Sequence, residues 1–69
     1  MYTINLREYY IKLGQALKAA GLVSSGIEAK EAIIGGLVKV NGEVDLRRGK
    51  KLYEGDLVSF NGEEIKIEK

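Results

Sequence analysis

The chain contains no cysteine, no histidine and no proline. Without cysteine no disulfide can staple a small fold, so its stability rests on packing. Without cysteine and histidine the usual thiolate and imidazole ligands of zinc are gone, and so are the commonest nucleophile and general base. Without proline no segment has its φ locked in advance. No apolar run approaches the roughly 20 residues of a membrane-spanning helix. The first residues, Met1-Tyr2-Thr3-Ile4-Asn5-Leu6-Arg7-Glu8, lack the basic start and continuous apolar stretch of a signal peptide. Carboxylates are present, but Glu54, Asp56, Glu63 and Glu64 read as an acidic solvated rim without the neighbours of a metal site. These absences predict no cofactor, no metal, no small-molecule substrate, no membrane contact and a cytoplasmic location.

With 69 residues the chain is expected to be one domain, 1–69, working as a stand-alone protein. A domain of this size buries only about 60% of the surface its unfolded chain exposes. That bulk is too small to enclose a catalytic pocket, so the chain is not expected to be an enzyme. The net charge is +1, which argues against indiscriminate binding to polyanions. The charge is unevenly distributed, however. Residues 39–51 carry five cations and two anions, a net of +3, and residues 52–69 carry two cations and five anions, a net of −3. The pattern predicts one basic face and one acidic face.

Residues 2–11 read as a short extended segment, with apolar positions at Ile4, Leu6, Tyr9 and Ile11. Leu13, Ala16, Leu17 and Ala20 then recur at helical spacing, with Gln15 and Lys18 off the stripe and Gly21 as a stop. Ser25-Gly26-Ile27-Glu28 has the form of a capping box and opens a second helix that Gly35-Gly36 ends. The rest alternates as strands. Asn41-Gly42 is a turn dipeptide. A three-residue loop over 41–43 is expected there, because it pairs Val40 with Val44 and Val38 with Leu46 and so matches hydrophobic faces. Asn61-Gly62 reads as a two-residue hairpin loop that puts Val58, Phe60, Ile65 and Ile67 on one face.

Between these elements Arg47-Arg48-Gly49-Lys50-Lys51 places four cations in five positions. Such a run is often only a solvated loop. Clustered Arg and Lys beside a turn in a near-neutral chain instead favour a phosphate-binding loop. Tyr9 and Tyr10 are expected at the core or its rim in preference to stacking on bases.

Leu13-Gly14-Gln15-Ala16-Leu17-Lys18, Ser25-Gly26-Ile27-Glu28-Ala29-Lys30, Val38-Lys39-Val40-Asn41-Gly42-Glu43 and Gly55-Asp56-Leu57-Val58, in that order and spacing, closely resemble the S4-like RNA-binding domain, or alpha-L motif. The basic insertion looks most like the small free-standing bacterial members of that family. The resemblance implies an α+β fold with two packed N-terminal helices against a small, mostly antiparallel β-sheet. It further implies that the helix pair and the adjoining loop grip RNA. The matching positions are Lys12, Lys18, Ser25, Lys30, Lys39 and Asn41, with Arg47, Arg48, Lys50 and Lys51 in the insertion. Two positions depart from the commonest pattern: Lys12-Leu13-Gly14 stands where many members have Arg-Leu-Asp, and Gly26 where many have Arg. The resulting expectation is a non-catalytic RNA-binding protein contacting structured ribosomal RNA or a ribosome-assembly intermediate, with ribosomal particles as partners. The other expectation is a protein-interaction module that pairs through the edge of the C-terminal hairpin.

Overall fold

A computed structural model describes residues 1–69. Along the chain the elements are β1 (Tyr2–Asn5), β2 (Ile11–Lys12), α1 (Leu13–Ala19), α2 (Gly26–Ile34), β3 (Val38–Val40), β4 (Glu43–Val44), β5 (Lys51–Leu52), β6 (Leu57–Phe60) and β7 (Glu63–Glu68). The segment expected to be extended over 2–11 instead holds β1 and the start of β2, with a bend over residues 7–9 between them.

Both helices form where spacing and caps place them. In α1 the stripe Leu13, Ala16 and Leu17 is fully buried. Gly21 follows at φ 75°, and the amide of Leu22 reaches back to the carbonyl of Leu17 at 3.1 Å, closing the helix end. In α2 the Ser25 hydroxyl accepts from the Glu28 amide at 3.1 Å. The Glu28 carboxylate accepts from the amide of Ser24, at 2.7 Å, so the reciprocal half of the capping box lands one residue earlier than the motif prescribes.

Asn41 and Asn61 are the only non-glycine residues with positive φ, both at 53°, and each precedes a glycine in the same region. Each pair makes a two-residue turn whose twist suits the flanking strands. At Asn61-Gly62 the outcome is as expected: Phe60 lies opposite Glu63 and Val58 opposite Ile65. At Asn41-Gly42 it is not. Val40 lies opposite Glu43 and Lys39 opposite Val44, so the loop has two residues and not three. The turn chemistry of Asn-Gly sets this register. The inward positions Val38 and Val40 find their apolar neighbours on β6, opposite Phe60 and Val58, and need none from β4. Val44 and Leu46 remain about half exposed in consequence.

The main sheet has the order β1-β7-β6-β3-β4, parallel between β1 and β7 and antiparallel elsewhere. The fold is thus α+β with a mostly antiparallel sheet. Because β1 lies against β7, the last strand is internal to the sheet, and the edge needed for pairing a partner there is already occupied. Inward residues of the sheet and of both helices make one cluster of thirteen buried side chains, all apolar. Lys39, Ser59 and Glu64 occupy neighbouring positions on the other sheet face. A separate two-stranded ribbon pairs β2 with β5, placing Ile11 opposite Leu52 and Lys12 opposite Lys51. Leu52 is fully buried, which fixes the ribbon to the core. No helix is long and apolar enough to cross a membrane.

Candidate nucleic-acid interface

The basic loop is folded against α1. Its first half is organised by Asp45, whose carboxylate accepts from the Arg47 backbone amide at 2.9 Å, from Arg47 Nε at 3.1 Å and from Arg47 Nη2 at 2.9 Å. The guanidinium holds the Asp45 carboxyl below the usual carboxylate range, and Arg47 is raised in turn by Asp45. In the second half the backbone aims two carbonyls at the helix start. The carbonyl of Lys50 accepts from the Leu13 amide at 2.8 Å, and that of Arg48 accepts from the Gly14 amide at 3.2 Å. Lys12, at the N-cap of α1, provides no side-chain cap. The loop therefore does what a capping side chain would do, satisfying amides a helix start leaves free.

This attachment sets the position of the Arg48 side chain. It lines a cleft with Lys12, Gly14, Gln15 and Lys18 of the α1 region, Gly26 and Ala29 of α2, and Gly49. Lys12, Gln15 and Lys18 are three apart, so they share one helix face, off the buried stripe. Gly26 and Ala29 are three apart on α2 and complete the opposite wall. The cleft holds three cations and no carboxylate. Two of its glycines are not required by the fold. Gly26 and Gly49 have no positive φ, and a Cβ on either would meet nothing within 4 Å. Their effect is to leave the cleft floor open for close approach of a ligand backbone.

Lys51 joins this surface through the ribbon, opposite Lys12. Its ammonium lies 4.8 Å from the centroid of the Tyr10 ring, and the Tyr10 and Tyr53 centroids are 6.2 Å apart with planes tilted by 55°. Tyr9 is 81% exposed and Tyr10 38%, so neither tyrosine is a core residue.

The remaining expected positions lie elsewhere. Arg47 and Lys50 line an adjoining hollow with Asn41, Glu43, Val44, Asp45 and Leu46, where two carboxylates offset them. The Asn41 amide nitrogen donates to Asp56 at 3.0 Å and its oxygen accepts from the Leu57 amide at 2.9 Å, so Asn41 ties the β3–β4 turn to the start of β6. Asp56 also accepts from the Tyr53 amide at 2.7 Å and is a structural residue of this junction as well as part of the acidic rim. Ser25 is occupied as the α2 cap. Lys30 is exposed on α2 without lining the cleft, and Lys39 is on the sheet face away from the helices. Sequence reasoning missed Gln15, Gly26, Gly49 and Tyr53 as parts of the basic surface. The three-residue spacing of Lys12, Gln15 and Lys18 was the signal available for the first.

Comparison with known proteins places these features in context. The family model of the S4 domain matches residues 4–68. A probable ribosome maturation protein, RlbA, of Bacillus subtilis is 46% identical over 59 residues, covering 86% of this chain and 83% of its own length. A putative RNA-binding protein, YbcJ, of Escherichia coli is 38% identical over 68 residues, covering 97% of each. The solution structure of E. coli YbcJ, described as revealing an alpha-L motif involved in RNA binding, superposes with a TM-score of 0.77 at 37% identity, over 100% of this chain and 89% of that one.

Proposed function

The chain belongs to the S4 domain family, and from that premise we propose that it is a non-catalytic RNA-binding protein of the cytoplasm, contacting structured ribosomal RNA or a ribosome-assembly intermediate. The observation that carries this reading is the cleft of Lys12, Lys18 and Arg48, which gathers three cations around an open floor without a single carboxylate. Lysine and arginine so placed hydrogen-bond to phosphate oxygens and release condensed counterions. Lys51 extends the same surface, and Arg47 and Lys50 lie beside it. Cations outnumber the amides and aromatic rings that read base edges, which favours recognition by shape and phosphate position. The names of the two relatives, one a ribosome maturation protein and one an RNA-binding protein, support the same target class.

The loop is already attached to α1 by two backbone hydrogen bonds, so the cleft is in place before ligand arrives. Little ordering entropy is then lost on binding. If about four to six phosphates are neutralised, affinity falls steeply with salt.

The test is a titration of ribosomal RNA fragments at two salt concentrations, with the native chain beside a variant carrying Ala at Arg47, Arg48, Lys50 and Lys51. The caps on α1 come from backbone carbonyls, so the variant retains them and its fold, which circular dichroism checks. Tight, salt-sensitive binding that the variant loses supports the proposal. Binding that is weak in its salt dependence, or equal in the two proteins, removes it. Cosedimentation with ribosomal particles, lost in the same variant, tests the assembly-intermediate part.

A further inference from the structure

The outer face of the β2–β5 ribbon carries more than charge. The ribbon register places Lys12 opposite Lys51 and Ile11 opposite Leu52. Tyr10 and Tyr53 are the residues that flank the open end of this ladder, and their ring centroids are 6.2 Å apart. Side chains alternate across a strand. Ile11 and Leu52 therefore point to the core, and the two tyrosines share the outer side with the two lysines.

The Lys51 ammonium lies 4.8 Å from the Tyr10 centroid and the two rings meet at a tilt of 55°, yet these contacts draw neither ring into the core. Neither tyrosine belongs to the buried cluster or to the partly buried hydrophobics packed against it. As whole residues the two tyrosines are 38% and 49% exposed. Neither hydroxyl makes a hydrogen bond within the chain; the side-chain bonds in this region go to Asp56 and Asn41 instead. Like charges directly opposite on a ladder are destabilising, yet Lys12 and Lys51 stand in that relation. A paired array of two rings followed by two cations matches one nucleotide unit, in which the base lies on an aromatic face and the phosphates beside it meet the cations.

We propose that Tyr10 and Tyr53 form a stacking platform for one unpaired base of the RNA, with Lys12 and Lys51 on the flanking phosphates. This inference rests on the RNA-binding reading above and sharpens it: the preferred ligand is a folded stem that carries an unpaired nucleotide next to the duplex held in the cleft.

The experiment uses the full chain and three forms of one short RNA hairpin: a blunt stem, the stem with a single 2-aminopurine overhang, and the stem with the same nucleotide as an internal bulge. Fluorescence of the 2-aminopurine reports stacking, and competition gives relative affinities. Two double variants accompany the native protein. Tyr10→Leu with Tyr53→Leu removes the rings and keeps apolar bulk, and Tyr10→Phe with Tyr53→Phe keeps the rings. The native chain and the Phe variant are expected to quench the fluorescence and to prefer an unpaired nucleotide by roughly ten-fold. The Leu variant is expected to lose both, so that its affinities for the three RNAs become equal. Equal affinity for all three RNAs without quenching, or a preference that persists in the Leu variant, overturns the platform and leaves the phosphate cleft standing. Failure of the native chain to bind any of the three at low salt overturns the RNA-binding reading and this inference together.

Discussion

Arg48 lies across Gly14. Its carbonyl accepts from the Gly14 amide at 3.2 Å, and its Cγ sits 3.0 Å from the place a Cβ on Gly14 would occupy. One of the residues that depart from the commonest pattern of the family, Gly14, is thus the one that admits the arginine of the insertion. Where an aspartate would place a carboxylate in the cleft, the open position leaves room for a guanidinium.

Gly14→Ala tests that arrangement. Alanine favours a helix over glycine by up to about 1 kcal/mol, which opposes the cost of moving the Arg48 stem by a few tenths of an ångström. Thermal stability is therefore expected to change little. RNA affinity is expected to fall several-fold, because the guanidinium leaves its place in the cleft. A titration paired with a melting curve checks both; unchanged affinity would mean that Arg48 does not act from this position.

Salt slopes separate the cations of the cleft from those outside it. Alanine at Lys12, Lys18 or Arg48 is expected to weaken binding and to lower the slope of log affinity against log salt by about one for each phosphate no longer neutralised. Alanine at Lys39, on the opposite sheet face, is expected to leave the slope unchanged. A Lys39 variant with a reduced slope would move the interface to that face.

The Asn41 turn is a stability site. Asn41→Gly removes the bonds to Asp56 and Leu57 and keeps a backbone suited to positive φ, with an expected cost of about 1–2 kcal/mol. Asn41→Ala loses the same bonds and adds the strain of a left-handed backbone, roughly 1 kcal/mol more. Urea denaturation of the two variants measures the difference; equal stabilities would show that the φ of 53° carries no strain for alanine.

The Asp45–Arg47 pair gives a signed pH response. The folded pKa of Asp45 lies below its ordinary value of 3.8, chiefly through the side-chain hydrogen bond from Arg47. The pair's contribution is therefore fully present above 3.8 and is lost as pH falls through the lower folded value. An NMR titration of the Asp45 carboxyl carbon is expected to give a midpoint below 3.8 in the native chain and one moved up towards it in Arg47→Ala. A native midpoint at or above 3.8 contradicts the pairing.

Much of this architecture is written locally. The Leu13, Ala16 and Leu17 stripe, the Ser25 cap and the Asn61-Gly62 hairpin each follow from a few neighbouring residues, and each forms where those residues stand. The first hairpin shows the limit. Two local rules compete at Asn41-Gly42, turn chemistry and face matching, and which one prevails depends on β6 already satisfying Val38 and Val40. The site was legible as a charge cluster but not as a cleft. Adjacent Arg47 and Arg48 face different hollows, because Asp45 claims one and the start of α1 positions the other. Asn41, expected as a contact residue, also serves as a strut, and its partner Asp56 is fifteen positions away. Such long-range partners have no signature in a local pattern.

The parallel pairing of β1 with β7 has a consequence in time. Tyr2 and Asn5 meet Ile65 and Glu68, so β1 has no partner until β7 has been made. Pairings of such sequence separation form late and slow the approach to the native state. On an emerging chain the helix pair can assemble before β7 exists, whereas β1 must wait unpaired. Any change that weakens Ile65 or Ile67 would therefore lengthen the period in which the apolar residues of β1 are open to other chains.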